Sequence, residues 1–173
     1  MSIRTTRKVR RIISNDDGWI TDSNPRLTTP ELIKTEMIDT YEGSPVDAVS
    51  WCVGDGEVYS YETNVGERYG DGYDHFETEM ERWRHRNVNH LIDSSGGVLT
   101  EISKQFREVG IDVFPSVRMN SHYDIPYSSP GYSRFRREHP ELLIGRPNEY
   151  IPSPTIEYAI RNGLDYKRPE VRA

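Results

Sequence analysis

The sequence predicts an α/β fold built on a parallel sheet. Short apolar runs rich in β-branched residues occur at 9–14, 46–53 and 111–117. Segments with helical character separate them, at 28–43 and 98–109. Serial strand, helix, strand units with apolar strands are typical of parallel sheets with right-handed crossovers, either in an open doubly wound sheet or in a barrel.

The two best helices are defined by their ends as well as by their apolar faces. Residues 28–30, Thr-Thr-Pro, predict the start of the first, because threonine supplies a cap oxygen and proline is tolerated in the first turn. Gly43 is expected to end it. In the second, apolar residues recur at helical spacing over 98–109, and Gly110 follows.

Weaker patterns complete the predicted architecture. Helices are expected within 76–92 and 132–139, and a fourth strand at 163–166. Residues 169–173 resemble the first turn of a helix without a body, which predicts a chain truncated at its C-terminus. Residues 54–75 are rich in glycine, tyrosine and acidic residues, which indicates a large loop at a strand end.

The composition and net charge of the chain limit the kinds of molecule that it is expected to bind. Of 173 residues, 34% are hydrophobic and 29% are charged, and the formal net charge is −6. A negative protein is not expected to bind nucleic acid, since phosphate binding needs a basic patch. Residues 1–8 are predicted to be a basic leader and 9–173 one domain. Neither a signal peptide nor a membrane helix of about 20 apolar residues is apparent, so we expect a soluble, cytoplasmic protein.

The single cysteine, Cys52, limits the chemistry. It excludes an internal disulfide and a cysteine-based zinc site. Its place in an apolar run favours a buried thiol over a nucleophile. No cofactor and no metal site is therefore predicted.

Polar side chains follow each predicted strand. In parallel folds the loops at the carboxyl edge converge on one opening, so functional groups gather there. The three sets are Asn15, Asp16 and Asp17 after strand one, Asp55 and Glu57 after strand two, and Arg118, Asn120, His122 and Asp124 after strand three.

The third set is the most informative. Its alternate positions would face one side of a continuing strand, and such a wall can bind sugar hydroxyls, hold a metal or form a hydrogen-bonded turn. We favour substrate contact by this set together with residues 15–17. Tyrosines and tryptophans such as Trp19, Trp51, Tyr59 and Tyr61 can stack on sugar rings, although for Trp51 a place in the core is favoured.

Three segments resemble, in order, bacterial glycoside hydrolase family 10-like barrel proteins. They are the opening strand with its turn at 15–18, VFPSVRMNSHYD at 113–124, and LDYKRPEVRA at 164–173. The resemblance implies a partial (β/α)8, TIM-like barrel with parallel strands and long strand-end loops, which binds or hydrolyses a polysaccharide or oligosaccharide. It also implies that the catalytic carboxylates lie on strands absent here. We therefore expect the chain alone to be inactive, with possible self-association through exposed sheet edges.

Two other functions remain open at this point. Residues 12–19 resemble the opening of the survival-protein E nucleotidases, which implies a metal-dependent phosphoesterase that uses Asp16 and Asp17. The alternative is a non-catalytic interaction module whose binding surface is the tyrosine-rich loop 54–75.

Overall fold

The computed structural model describes residues 12–119, 127–145 and 163–172. They form a mixed α/β structure with a five-stranded, mostly parallel open sheet. The strands are β1 (Ile13–Asp16), β2 (Ala48–Asp55), β3 (Val58–Tyr59), β4 (Glu67–Arg68) and β5 (Asp112–Arg118). The helices are α1 (Pro30–Ile33), α2 (Asp39–Tyr41), α3 (Glu79–Ser95), α4 (Val98–Glu108), α5 (Arg134–Glu138) and α6 (Pro169–Arg172).

The predicted caps of the first helix are confirmed. Thr29 is the N-cap, and its hydroxyl oxygen accepts from the Leu32 N–H at 3.2 Å. A π-helical stretch, Lys34–Ile38, joins α1 to α2 in one continuous helix. The chain leaves α2 through Gly43, whose φ of +74° suits a residue without a side chain.

Strand β2 is the centre of the sheet. It pairs in parallel with β1 on one side and with β5 on the other. Beyond the end of β1, the last two residues of β2 pair with β3 in an antiparallel hairpin. The two predicted crossovers therefore link strands that pair side by side, in the order β1, β2, β5.

The core lies on one face of this sheet. Val49, Trp51 and Val53 of β2 pack there against the helices. The helical residues that complete this core are Ile33, Met37, Ile38, Val88, Leu91, Val98, Ile102 and Phe106. Since they come from the α1–α2 helix and from α3 and α4, both crossovers cover the same face.

The opposite face of the sheet carries smaller side chains on β2, among them Ser50 and Cys52. Their neighbours in register include two exposed apolar residues. Ile13, opposite Ala48, is 56% exposed, and Phe114, opposite Ser50, is 44% exposed. Neither side chain belongs to the core cluster.

Two boundaries differ from the prediction. Strand β1 runs to Asp16, so Asn15 and Asp16 belong to the strand and not to the turn. Helix α3 begins at Glu79, where Thr78 and Glu81 form a capping box, and it runs past the expected end to Ser95. Within 132–139, Ser133 caps the short helix α5.

The predicted fourth strand at 163–166 is wrong. Leu164 forms a single antiparallel bridge with Leu143, flanked by a 2.8 Å bond from the Asp165 N–H to the Leu142 carbonyl. The Tyr166 N–H then bonds back to the Leu164 carbonyl at 3.1 Å, which turns the chain. A segment with so little apolar alternation cannot sustain a strand. Residues 169–172 form the helical turn that was predicted.

Gly18 provides a test of the turn after β1. Its φ is +81°, and a Cβ there would lie 2.6 Å from the Cys52 carbonyl oxygen of β2. We expect Gly18→Ala to lower the free energy of unfolding by about 2 kcal/mol or more, through left-handed strain plus overlap. Urea denaturation followed by circular dichroism measures this.

Gly43→Ala is the matched control for that experiment. Its φ is +74°, and no heavy atom lies within 4 Å of a Cβ there. This variant should carry the conformational strain alone, about 1 kcal/mol. Equal losses in the two variants would show that the close approach to Cys52 does not matter.

Candidate functional site

The carboxyl edge of the parallel strands brings part of the predicted site together. Asp17 directly follows β1, and Arg118 ends β5 on the far side of β2. The two side chains form an ion pair across the end of β2. A 2.6 Å hydrogen bond from the Gly56 N–H to the Arg118 carbonyl fixes the backbone at this point. Two of the three predicted sets thus meet.

The two neighbouring aspartates have opposite electrostatic environments. Burial raises the pKa of Asp16, and the charge of Asp17 raises it further, while the Gly18 N–H, 2.9 Å away, opposes both effects. The hydrogen bond with Arg118 lowers the pKa of Asp17. Asn15 also donates to the Asp17 carboxylate, at 3.1 Å. Adjacent acids with diverging pKa values are a feature of functional sites.

A cleft of about 800 Å³ opens beside these residues, and we call it the β1 cleft. The Trp19 side chain, 52% exposed, forms part of its wall. An ion pair between Arg26 and Glu36 lies on the same cleft. Asn15, Asp16 and Asp17 line it as well. The cleft therefore combines an aromatic surface with carboxylate, amide and guanidinium groups.

One buried asparagine holds a wall of the β1 cleft in place. Asn87 of α3 has no exposed surface. Its amide nitrogen donates to the carbonyls of Thr21 at 2.9 Å and Asn24 at 3.2 Å, and its oxygen accepts from the Thr28 N–H at 3.2 Å. Arg86 adds bonds to two further carbonyls of this loop. Sequence reasoning missed Asn87, although a polar residue beside the buried Val88 and Leu91 was an available signal.

The aspartate pair gives the metal-dependent phosphoesterase no support. Arg118 already neutralises Asp17, and a bound guanidinium competes with a metal ion for the carboxylate. Within 12–119, 127–145 and 163–172, no group of three or more histidine, cysteine, aspartate or glutamate side chains is placed to hold a metal.

Two tyrosines of the loop 54–75 pack against arginines from other segments of the chain. Tyr69 is 4% exposed, with the Arg84 guanidinium 4.1 Å from its ring centroid. Tyr73 lies under Arg137, whose guanidinium is 5.3 Å from the ring centroid. Burial raises the pKa of Tyr69, which keeps its hydroxyl protonated. These two rings therefore stabilise the loop and are not presented as a binding surface.

Some of the remaining predictions about individual residues are confirmed, and others concern residues that the structure does not describe. Trp51 is 1% exposed and belongs to the core, and Cys52 is a buried thiol, as predicted. Glu57 of the second set is bound to Arg136 at 2.8 Å and to the Ser133 hydroxyl at 2.8 Å. Asn120, His122 and Asp124 lie outside the described residues, as do residues 1–8.

Comparison with known proteins assigns no family. The sequence matches no protein-family model, and no curated protein is significantly similar to it. Across the described part of the chain, every helix is too short or too polar to cross a bilayer.

The two aspartates should respond to neutralisation with opposite signs. Asp16→Asn keeps the oxygen that accepts from Gly18 but removes a charge that burial disfavours, so the free energy of unfolding should rise at pH 7. Asp17→Asn loses the charge pairing with Arg118, so stability should fall at pH 7. Each change in the free energy of unfolding should stay within about 1 kcal/mol, because Asp16 and both partners of the Asp17–Arg118 ion pair are partly exposed.

The pH dependence follows from the direction of each pKa shift. A raised carboxyl pKa means that stability is lost as pH rises through the folded-state value, so the gain in Asp16→Asn should vanish near about pH 3. A lowered pKa means that stability is lost as pH falls through the folded-state value, so the deficit of Asp17→Asn should persist below the ordinary aspartate pKa and shrink only as Asp17 itself becomes protonated. Urea midpoints at the two pH values measure both effects, and changes of the same sign would contradict the assignment.

Proposed function

We propose that this chain forms one side of a polysaccharide-binding cleft in a carbohydrate-active protein and that the β1 cleft contacts the sugar. The observation that carries this proposal is the half-exposed Trp19 indole beside Asn15, Asp16 and Asp17 in one cleft. An aromatic face packs against the C–H groups of a sugar ring, and carboxylate and amide oxygens accept from its hydroxyls. A volume of about 800 Å³ lies within the usual range of ligand sites.

The position of the β1 cleft also supports the proposal. It lies at the end of β1, and the ion pair of Asp17 with Arg118 connects it to the end of β5. Ligand sites of parallel α/β folds form outside the carboxyl ends of their strands. Arg118 does not line the cleft itself. By pairing with Asp17 it orients that carboxylate, and in this way it shapes the cleft wall.

We further propose that the sheet is part of a (β/α)8, TIM-like barrel. Doubly wound sheets carry helices on both faces, whereas in a barrel the crossover helices lie only on the outside. Here the three parallel strands lie side by side in their order along the chain, β1, β2 and β5, and both crossovers cover one face. Exposed Ile13 and Phe114 on the other face occupy the position of a barrel interior. Open edges of this kind favour self-association.

Binding, and not hydrolysis, is the activity proposed for these residues. Glycoside hydrolysis uses two carboxyl groups on either side of the scissile bond, one to donate a proton and one to act as nucleophile or base. Asp17 is neutralised by Arg118, which makes it a poor base. Asp16, whose pKa is raised, is suited to accept or donate a hydrogen bond to a hydroxyl in either protonation state.

Removal of the Trp19 indole tests the proposal. We expect the chain to bind at least one of a defined set of neutral hexasaccharides of glucose, xylose and mannose. Trp19→Ala should weaken that binding by roughly five- to tenfold, through loss of ring stacking. Isothermal titration calorimetry measures the affinities.

Trp83→Phe is the control, because Trp83 lies on α3 and does not line the β1 cleft. It should bind the same oligosaccharide with unchanged affinity. Failure of every oligosaccharide to bind at millimolar concentration, or unchanged binding by Trp19→Ala, would refute the proposed function.

A further inference from the structure

A second pocket, of about 530 Å³, lies apart from the β1 cleft and shares no lining residue with it. We call it the aromatic pocket, after Tyr59 of β3, Phe135 of α5 and Tyr166, which line it. We propose that the aromatic pocket binds a ligand that carries a protonated amine on a ring, such as an amino sugar. This inference does not depend on the proposed function, since the two sites use different residues.

The position of Tyr59 is closely determined by two glycines. A Cβ at Gly54 would lie 2.6 Å from the Cδ1 atom of the Tyr59 ring, and a Cβ at Gly66 would overlap Cε2. The ring therefore fits against the two backbones with no room for a side chain. The Tyr59 ring also contacts the Tyr61 ring, with centroids 5.1 Å apart. Such contacts hold an aromatic wall in place before a ligand binds.

The other two rings are also held. The Tyr166 hydroxyl donates to the Met119 carbonyl at 2.9 Å, which ties the ring to the segment after β5. The Phe135 ring contacts His139 of the same segment, with centroids 4.9 Å apart. Three rings from three separate parts of the chain thus converge on one pocket.

The charged groups of the aromatic pocket are carboxylates. Glu57, Glu67 and Glu170 line it, and none of its described lining residues is cationic. Buried Arg136, behind the pocket, neutralises Glu57 through a 2.8 Å bond. Glu170 has a weaker partner in Arg168, 3.7 Å away and 47% exposed.

Among the described residues Glu67 makes no ion pair, although the charge of Arg137 acts on it. Its Oε1 atom accepts from the backbone N–H groups of Arg134 at 2.6 Å and Phe135 at 3.3 Å. Both donors are backbone amides of α5, which orient the carboxylate without cancelling its full charge. Both bonds use the same oxygen, and no described residue forms a hydrogen bond with Oε2, which is the atom that we propose meets the ligand.

Burial is the main cause that raises the pKa of both pocket tyrosines, and Glu57 adds a smaller effect. Burial raises the pKa of Tyr59, and the nearby Tyr61 and Glu57 raise it further. Burial likewise raises the pKa of Tyr166, with Glu57 again adding to the effect and Arg136 opposing it. Ring faces attract cations through their quadrupole, and a carboxylate adds a charge-assisted hydrogen bond. Both features favour an ammonium group and disfavour an anion.

Three trisaccharides with similar rings and different charges test the inference. They are a fully deacetylated glucosamine trimer, cellotriose, and a trimer of glucuronic acid, titrated calorimetrically at about pH 6. We expect the glucosamine trimer to bind at least about tenfold more tightly than cellotriose, and the glucuronic acid trimer not to bind. Equal affinity for the cationic and neutral trimers, or no binding of the cationic trimer, would overturn the proposal.

The Glu67→Gln variant tests whether the glucosamine trimer binds in the aromatic pocket, which Glu67 lines. The glutamine keeps an oxygen for the two backbone N–H groups of α5 and removes only the charge, and thermal unfolding verifies the fold. We expect it to bind the glucosamine trimer about tenfold more weakly. Glu62→Gln is the matched control, because Glu62 is exposed, pairs with Arg68 at 3.1 Å and does not line the pocket.

Two outcomes would contradict the assignment. One is a Glu67→Gln variant that binds the glucosamine trimer as tightly as the original chain. The other is an equal loss in Glu62→Gln, which would indicate attraction by the overall negative charge. Trp19→Ala, which alters only the β1 cleft, should bind the trimer unchanged, so failure of the proposed function and failure of this inference are separable.

Discussion

The pairing of β2 with both β1 and β5 is the constraint on which the rest of the structure depends. It places the carboxyl ends of β1 and β5 on either side of one strand, and so it allows Asp17 and Arg118 to meet. The turn after β1 can lie against β2 only because Gly18 has no side chain. A shift of one residue in this register would move every side chain of β1 to the other face.

Buried polar side chains join segments of this chain that apolar packing would join in a more hydrophobic protein. With only 34% hydrophobic residues, the chain cannot cover its long loops with apolar surface alone. Asn87 holds the loop beside the β1 cleft, and the fully buried Arg136 joins α5 to Glu57. Removal of one partner of such a pair leaves an unpaired buried group, which costs more than an exposed contact is worth.

The sequence was sufficient for the features that depend on local interactions. The parallel pairing of the main strands, the Thr29 cap and the core position of Trp51 follow from serial strand-helix units, capping chemistry and apolar runs. Contacts between distant segments were not predictable in the same way. Glu57 meets Arg136, 79 residues away, and nothing in the spacing of either residue indicates its partner. No strand forms at 163–166, because Leu164 makes a single bridge to Leu143 and the chain turns directly after it.

The two clefts differ in their charge balance, and this difference follows from the fold. In the β1 cleft, arginines from two other segments, Arg26 and Arg118, compensate Glu36 and Asp17. Beside the aromatic pocket, buried Arg136 pairs with Glu57, and Glu67 is held by backbone amides. A backbone amide orients a carboxylate while leaving its net charge in place, whereas a guanidinium cancels it. The two sites are therefore suited to different ligands, a neutral hydroxyl-rich chain in one and a cation in the other.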